Sequence, residues 1–294
     1  MKQKLFPLLS AVIHDATHRP FEVCVATGVG GGSINEAFRL EGTDGECYFL
    51  KLNDARHYPM FEAEAAGLAA LTVTNTVRVP QPVAHGIAGD RSFLVLEYLE
   101  LSPRGDAKRL GQQLAALHRC RGSLFGFARN NFIGTTPQPN AWKDNWIEFW
   151  REQRLGFQLQ LAAENGYGGQ LRSLGEKLLD ALPAFFDGYT PQPSLLHGDL
   201  WSGNHAFTAD GAPAIFDPAA YYGDRECDLA MTELFGGYPA DFYSAYRAEW
   251  PLHEGYEVRR DLYNLYHVLN HANLFGGGYV MQAGQLMKDL LATG

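Results

Sequence analysis

The sequence predicts an α+β protein of two lobes, a small sheet-rich N-terminal lobe and a larger, mostly helical C-terminal lobe. Three observations predict this class. The chain has 294 residues, about twice the length of a typical domain. Short apolar strand patterns with one main helix fill roughly the first hundred residues, whereas apolar residues recur at helical spacing after Gly105. With 46% hydrophobic residues, each lobe can bury a core. We place the boundary so that the lobes span residues 1–99 and 100–294.

The N-terminal lobe is predicted to be an antiparallel sheet with one main helix. A turn at residues 41–45 between two apolar stretches indicates a hairpin. Two prolines, Pro80 and Pro82, place their segment at a sheet edge or in a connector, because proline cannot donate a ladder hydrogen bond. The predicted elements are a helix at 3–15, strands at 21–25, 37–40 and 47–52, the main helix at 60–71, an edge or connector at 77–83, and a buried strand at 92–98.

The C-terminal lobe is predicted to be mainly helical. Asp106 can cap a helix whose apolar face carries Leu110, Leu114 and Leu117. The segment from Gly126 to Asn140 has few periodic apolar residues and is predicted to be a long loop. The further predicted elements are helices at 142–164 and 170–186, short strands and loops at 194–217, and mainly helix at 226–293.

Composition excludes some classes of partner. The 24 Lys+Arg and 33 Asp+Glu residues give a net charge of 24 − 33 = −9, which argues against a general binder of nucleic acid or anionic membranes. No apolar run reaches the roughly 20 residues needed to span a bilayer. The four cysteines are far apart and form no metal-binding or disulfide pattern, so we expect a reduced, cytoplasmic protein.

A glycine-rich segment, Gly28-Val29-Gly30-Gly31-Gly32-Ser33, lies between two predicted strands. Glycines let backbone N–H groups approach a polyphosphate closely, so Gly30, Gly31, Gly32 and Ser33 are candidate nucleotide contacts. The segment lacks the Gly-Lys-Ser/Thr of a P-loop, and it precedes a strand where a dinucleotide-binding fingerprint would open a helix. Taken alone, it fits a hairpin without a ligand better than a phosphate-binding loop.

A lysine inside an apolar strand is the second candidate. Lys51 ends the run Tyr48-Phe49-Leu50, and burial of its ammonium group is costly unless a carboxylate pairs with it. Glu64, on the following predicted helix, could hold Lys51 against an anionic phosphate. The alternative is that Lys51 extends to solvent and Glu64 lies on an exposed helix face.

Two segments of the second half carry oxygen-rich side chains. Asp199 and Asn204 stand five residues apart in a glycine-containing loop, where the carboxylate can approach a reacting hydroxyl and the amide can bind a metal. Asp217 ends a short apolar strand. Mg²⁺ prefers oxygen ligands, and Asn204 with Asp217 supplies two. His197 is interpreted as a structural hydrogen-bonding residue of the loop.

The order of these parts is the order found in kinases: glycine-rich hairpin, strand lysine, helix glutamate, His-x-Asp-x4-Asn and a strand-terminal aspartate. The form His-Gly-Asp resembles the aminoglycoside phosphotransferase and choline kinase group. An Asp-Pro pair at 217–218, and no Ala-Pro-Glu segment after it, disfavour a protein kinase. Within that group the chain most resembles the fructosamine kinase (ketosamine-3-kinase) family. The stretches that carry the resemblance are 31–35, 49–53, 60–68, 125–127, 131–134, 137–142, 196–204, 217–219, 222–226, 228–231, 234–237, 269–271 and 274–276.

The resemblance implies a bilobal protein-kinase-like fold and a role for each candidate residue. It implies that Asp199 is the catalytic base and that Asn204 and Asp217 hold Mg²⁺. Lys51 would contact ATP phosphates and Glu64 would orient it. The implied adenine-binding hinge is Glu97, Tyr98 and Leu99.

Two residues near the base have further implied roles. Trp201 could be a platform for the sugar-amine, and a core-packing indole is the alternative. Asp228 resembles a carboxylate that braces the loop around Asp199.

The implied activity is ATP-dependent phosphorylation of the 3-hydroxyl of ketosamines, free or on glycated lysines, as a step of protein deglycation. Two alternatives remain at this stage: an aminoglycoside- or choline-type phosphotransferase with another small alcohol as acceptor, and a nucleotide-binding scaffold without catalysis. Two residues depart from the family pattern. Ser33 stands where many members have cysteine, which argues against redox control there, and His205 follows Asn204 where a small apolar residue is usual.

Overall fold

The structure is a computed structural model that describes residues 2–30 and 34–293. Its contacts divide the chain into two compact units. The first comprises Met1–Gly105 and Ala206–Asp217, and the second comprises Asp106–His205 and Pro218–Gly294. The lobe boundary that the sequence suggests between residues 99 and 100 stays a prediction.

The first unit is built on a five-stranded antiparallel sheet. Its strands are β1 (Val23–Gly28), β2 (Glu36–Gly42), β3 (Cys47–Asp54), β4 (Pro82–Ala88) and β5 (Arg91–Glu97). The order in the sheet is β1-β2-β3-β5-β4. The predicted hairpin is β2–β3. The segment 77–83, expected to be an edge or connector, leads into β4, which is one of the two edge strands. Pro82 is the first residue of that strand, where a missing backbone donor is tolerated.

Two helices pack on this sheet, α1 (Lys2–Thr17) and α2 (Tyr58–Thr72). Leu9 and Ile13 of α1 are fully buried in one core with Leu50 of β3. Successive side chains of a strand point to opposite faces, so Lys51 lies on the other face from Leu50. Helix α2, which packs against β4 and β5, carries Glu64. Strand parity and helix placement therefore bring Lys51 and Glu64 together.

The remaining strands are short. They are β6 (Leu101–Ser102), β7 (Asn131–Ile133), β8 (Thr136–Gln138), β9 (Ser194–Leu196), β10 (His205–Thr208), β11 (Pro213–Ile215) and β12 (Tyr221–Gly223). Three of them form a small sheet in the order β11-β10-β6. In the second unit, β7 pairs with β8 and β9 pairs with β12, both antiparallel.

The second unit is mainly helical, as the sequence predicts. Its helices are α3 (Ala107–His118), α4 (Trp146–Phe149), α5 (Gly156–Ala162), α6 (Gly168–Ala181), α7 (Glu226–Leu234), α8 (Ala240–Glu249), α9 (Tyr256–Phe275) and α10 (Gly278–Thr293). Asp106 caps α3 as expected, since its side chain accepts the Arg109 N–H. The core is rich in aromatic residues, with Trp146, Phe149 and Tyr263 buried together.

Two expectations for this unit were wrong in detail. The segment 126–140, predicted to be a loop, contains the β7–β8 hairpin, whose three-residue strands are too short to show an alternating pattern. The helix predicted at 142–164 begins at Trp146 and contains a π-helical turn at Trp150–Leu155. Such a wide turn contains an inserted residue and shifts the apolar stripe that follows it, so a single helical period does not describe the segment.

Candidate active site

A buried lysine is the centre of the first group of predicted residues. Lys51 is only 6% exposed on β3, where it stands opposite Leu94 of β5. Its Nζ donates to Glu64 Oε1 and to Asp217 Oδ1, each at 2.6 Å. Lys51, Glu64 and Asp217 form the buried-lysine cluster, so the interpretation of Lys51 as a solvent-facing side chain is excluded.

The cluster keeps Lys51 charged. Burial alone would lower the pKa of Lys51, but the carboxylates of Asp217 and Glu64 outweigh it, and the pKa is raised. Burial raises the pKa of Glu64, an effect that the lysine opposes. Removal of the lysine would thus leave the largely buried Glu64 carboxylate without its counter-ion and beside the partly exposed Asp217 carboxylate.

Asp217 has a special backbone conformation. It follows β11 by two residues and has a φ of 60°, in the left-handed region that few non-glycine residues occupy. Aspartate is among the residue types that tolerate it best. The same carboxylate accepts the bond from Lys51, so the conformation is stabilised by a contact at its side chain.

The second group of predicted residues lies on the segment 197–204, which we name the His-Gly-Asp loop. Asn204 is at the end of a 3₁₀ turn and is buried. Its Nδ2 donates to the backbone O of Asp199 at 2.8 Å and to the Oδ2 of the same residue at 3.2 Å. The loop therefore holds the predicted base and the predicted metal ligand in direct contact.

A buried carboxylate on α7 braces this loop. Asp228 Oδ2 accepts the N–H of His197 at 2.7 Å, and Oδ1 accepts the N–H of Gly198 at 2.8 Å. His118, at the end of α3, lies 3.1 Å from the same carboxylate. The sequence interpretation of Asp228 as a brace agrees with this geometry.

The contacts of Asp228 also set its ionisation. Burial would raise the pKa of the carboxyl group, but hydrogen bonding and charge from His118, and the backbone bond from Gly198, outweigh burial and lower it. A carboxylate that accepts several hydrogen bonds in its ionised form is a strong and well-oriented acceptor. Asp228 therefore fixes the two residues that precede Asp199.

Trp201 is not a core residue. Its side chain is 38% exposed, and it lies over Gly203, where a Cβ would collide with the indole. Its backbone O accepts the N–H of Asn204 at 3.0 Å and the hydroxyl of Tyr238 at 3.2 Å. The core-packing interpretation is excluded, and an indole face is open to solvent beside Asp199.

The predicted hinge follows β5. The N–H of Glu97 donates to the O of Gln81 at 2.8 Å, so this N–H is already used in a bond within the protein and is not offered to a ligand. The Glu97 side chain forms an ion pair with Arg78. The Tyr98 ring lies 5.4 Å from the guanidinium carbon of Arg39. For an adenine bound at the hinge, the backbone groups of Tyr98 and Leu99 are better candidates for hydrogen bonds than the N–H of Glu97.

The glycine-rich segment is described in part. Gly30 is exposed, and the N–H of Val29 donates to the O of Ala37 at 2.9 Å, which continues the β1–β2 hairpin. Gly31, Gly32 and Ser33 lie outside the described residues. Their predicted nucleotide contacts stay predictions.

Sequence reasoning missed two residues that support the His-Gly-Asp loop. His118 lies far from Asp228 along the chain, and a histidine in an amphipathic helix gives no local signal of its partner. Tyr238 packs its ring against His205, with ring centroids 4.2 Å apart. Burial lowers the pKa of His205, so a neutral imidazole packs on the tyrosine that holds Trp201 O.

Comparison with known proteins identifies the family. The sequence model of the fructosamine kinase family matches residues 5–293. The chain belongs to the fructosamine kinase family. A protein named "Probable ketoamine kinase" from Synechocystis sp. is 49% identical over 284 residues, which cover 95% of this chain and 94% of that protein. A protein-ribulosamine 3-kinase from Oryza sativa subsp. indica is 43% identical over 269 residues, covering 90% and 78%.

Solved structures agree with this assignment to the fructosamine kinase family. A crystal structure designated fructosamine-3-kinase, from Haemophilus somnus, has 30% identity and a TM-score of 0.88, and covers 98% of this chain and 99% of that one. The choline kinase LicA, with 15% identity and a TM-score of 0.59 over 98% of each chain, shares the fold. The predicted protein-kinase-like α+β fold is confirmed. As a member of a kinase family, the protein is a phosphotransferase, and this membership implies ATP as the donor.

Proposed function

We propose that this protein transfers the γ-phosphoryl group of ATP to the 3-hydroxyl of a ketosamine. The observation that carries the proposal is the His-Gly-Asp loop, in which Asp199 and Asn204 touch each other and Asp228 fixes the preceding backbone. Phosphoryl transfer depends mainly on positioning and on charge stabilisation. A carboxylate held in this way can orient the acceptor hydroxyl and accept its proton.

The nucleotide side of the reaction is assigned to the buried-lysine cluster. Lys51 is charged, buried and held by Glu64 and Asp217, which pre-organises its ammonium group for ATP phosphates. We assign the adenine contacts to the hinge, Glu97, Tyr98 and Leu99, with Tyr98 and Leu99 as the backbone partners. We assign further contacts with the ATP phosphates to residues 30–33 of the glycine-rich segment.

The donor chemistry of two side chains fits Mg²⁺. Asp217 offers a carboxylate, and Asn204 uses its Nδ2 on Asp199, so its amide oxygen is the atom that can bind a cation. Hard oxygen donors of this kind suit Mg²⁺. When bound, the cation would neutralise charge on the phosphates. The residues themselves retain their own tasks, since Asn204 orients Asp199 and Asp217 anchors Lys51.

The acceptor assignment is supported by the names of the relatives and by Trp201. Relatives of 49% and 43% identity are named ketoamine kinase and protein-ribulosamine 3-kinase. The exposed indole of Trp201, two residues from Asp199, offers an apolar and cation-attracting face to a sugar joined to an amine. Aminoglycoside and choline acceptors are disfavoured, because the structures of that group share only the fold with this chain.

The chemistry of the phosphorylated product supports a role in the repair of glycated proteins. A phosphate on C3 is a better leaving group than a hydroxyl, so a 3-phosphorylated ketosamine can lose inorganic phosphate by elimination. Water then hydrolyses the resulting imine, which releases the amine and leaves a 3-deoxy dicarbonyl sugar. On a glycated lysine, this sequence would restore the unmodified side chain. We propose a reducing, cytoplasmic location, which agrees with the four free cysteines.

A panel of acceptors tests the function. We expect ADP release with Mg²⁺, ATP and a ribulosamine or fructosamine, and no comparable release with choline or an aminoglycoside. Mass spectrometry and NMR of the product should place the phosphate on O3. Turnover of choline or an aminoglycoside but of no ketosamine would contradict the assignment, and absence of turnover with every acceptor would favour a non-catalytic scaffold.

A further inference from the structure

A buried glutamine of β8 lies at the centre of a hydrogen-bond network. Gln138 is 0% exposed. Its Nε2 donates to Asn131 Oδ1 at 2.7 Å and to the backbone O of Ala219 at 3.1 Å, and its Oε1 accepts the hydroxyl of Tyr266 at 2.7 Å. Each polar group of this side chain is thus used, as burial requires. The contacts with Ala219 and with Tyr266 of α9 lead out of the hairpin.

Ala219 connects Gln138 to the His-Gly-Asp loop. The N–H of Ala219 donates to the O of His197 at 2.9 Å. Gly198 has a φ of 83°, and a Cβ there would collide with the backbone O of Ala219. Ala219, whose carbonyl group Gln138 holds, therefore contacts both residues that precede Asp199: its N–H binds His197 O and its carbonyl group packs against Gly198.

The residue paired with Gln138 across the hairpin, Asn131, holds the next peptide. Asn131 Nδ2 donates to the backbone O of Ala220 at 2.8 Å. Its Oδ1 accepts bonds from Gln138 and from Asn140 Nδ2, the latter at 2.8 Å. Asn140 Oδ1 in turn accepts Arg154 Nη2 at 2.7 Å. Two successive carbonyl groups, at 219 and 220, are thus fixed by side-chain amides of the β7–β8 hairpin.

The arrangement supports the His-Gly-Asp loop from two sides. Asp228 accepts the N–H groups of His197 and Gly198, and Ala219 contacts the O of His197 and the α-carbon side of Gly198. If Ala219 moved, the carboxylate of Asp199 would turn with its backbone. A displacement of about 1 Å at a reacting group can lower a rate by about 100-fold.

We propose that Gln138 is a positioning residue for catalysis, which holds the Ala219 carbonyl against Gly198 and thereby sets the direction of the Asp199 carboxylate. This inference rests on the proposed function of Asp199. Gln138 acts through Ala219 and touches no reacting atom. Because the hydrogen bonds of the Gln138 side chain go to Asn131, Ala219 and Tyr266 and not to Lys51 or Glu64, loss of the Gln138 bond should reduce kcat and leave the KM for ATP nearly unchanged.

The test compares Gln138→Met with a control of the same substitution outside the network, Gln113→Met. Methionine keeps the length of glutamine and brings no charge. Gln113 is half-buried on α3, and its buried Oε1 has no hydrogen-bond partner among the described residues. We expect Gln138→Met to lower kcat for the ketosamine by about 10- to 100-fold, with the KM for ATP within about twofold. Gln113→Met should keep kcat within about twofold.

The outcomes separate the two proposals. An inactive wild type contradicts the proposed function of the protein. An active wild type with an unchanged kcat in Gln138→Met, or an equal loss of kcat in Gln113→Met, contradicts the role of Gln138. If Gln138→Met does not fold, Asn131→Ala removes the bond to Ala220 O, and a folded Asn131→Ala with wild-type kcat overturns the inference.

Discussion

At the scale of single residues, the chemistry depends on side chains whose partners fix both charge and direction. Asp199 is aligned by Asn204, and Lys51 is aligned by Glu64 and Asp217. Each alignment uses a hydrogen bond with at least one charged member, and the two bonds of Lys51, at 2.6 Å, are of the short, charge-assisted kind. The functional atoms are therefore pre-positioned before any substrate binds.

Replacement of Asp199 by asparagine should remove the proton acceptor and keep the shape of the side chain. We expect Asp199→Asn to lower kcat for ketosamine phosphorylation by about 10²- to 10⁴-fold, the usual effect of a lost general base. Coupled ADP assays with the purified variant measure this change. Asp187→Asn, at an exposed position, is the control, and full activity of Asp199→Asn would show that another group takes the proton.

At the scale of secondary-structure elements, helix α9 buries a histidine that should make stability depend on pH. Burial, with contributions from His271 and Arg154, lowers the pKa of His267 to about 3, although Asp228 opposes this shift. An unfolded histidine has a pKa of about 6.5. Between these two values the unfolded chain binds a proton that the folded chain does not, so stability falls as the pH decreases through 6.5 toward 3.

His267→Gln should reduce this dependence. For the wild type we expect His267 to contribute a loss of about 2 kcal/mol in unfolding free energy between pH 7.5 and pH 5. The variant should lack that part of the slope, because glutamine does not titrate. Urea unfolding at the two pH values measures it, with His85→Gln at an exposed position as the control. An unchanged slope in His267→Gln would assign the pH dependence to other groups.

Elements also show how far the sequence predicts the fold and the site. The hairpin β2–β3, the helix carrying Glu64 and the cap at Asp106 were predictable, because strand alternation, helical spacing and caps are local patterns. The π-helical turn at 150–155 and the β7–β8 hairpin were not, since one inserted residue and three-residue strands leave no periodic signal. The partners of Asp228 and Gln138 depend on contacts between residues distant in the chain, which no local pattern records.

At the scale of the whole molecule, an acidic protein must bind a highly anionic nucleotide. The net charge is −9, and even the buried-lysine cluster sums to −1, with one ammonium and two carboxylates. Added positive charge from a divalent cation is therefore expected to govern nucleotide affinity.

Among the described residues, no helix is long and apolar enough to cross a membrane.

The dependence on a cation can be tested by thermal stability. Because a ligand that binds only the folded state adds RT ln(1 + [L]/Kd), ATP with Mg²⁺ at about 100 times Kd should stabilise the protein by about 2.7 kcal/mol. ATP with EDTA should give a much smaller shift in Tm. Asn204→Ala should lose most of the Mg²⁺-dependent part, with the exposed Asn165→Ala as control. Equal shifts with Mg²⁺ and with EDTA would argue against the cation.

The glycine between His197 and Asp199 has a consequence for how such sequences diverge. Its left-handed backbone and the carbonyl of Ala219 leave no room for a side chain at position 198. An arginine there, as in the His-Arg-Asp of protein kinases, would require residue 219 to move away. The backbone of this protein accepts His-Gly-Asp and not His-Arg-Asp. A change from one to the other therefore requires, besides the codon for residue 198, a further change that moves residue 219.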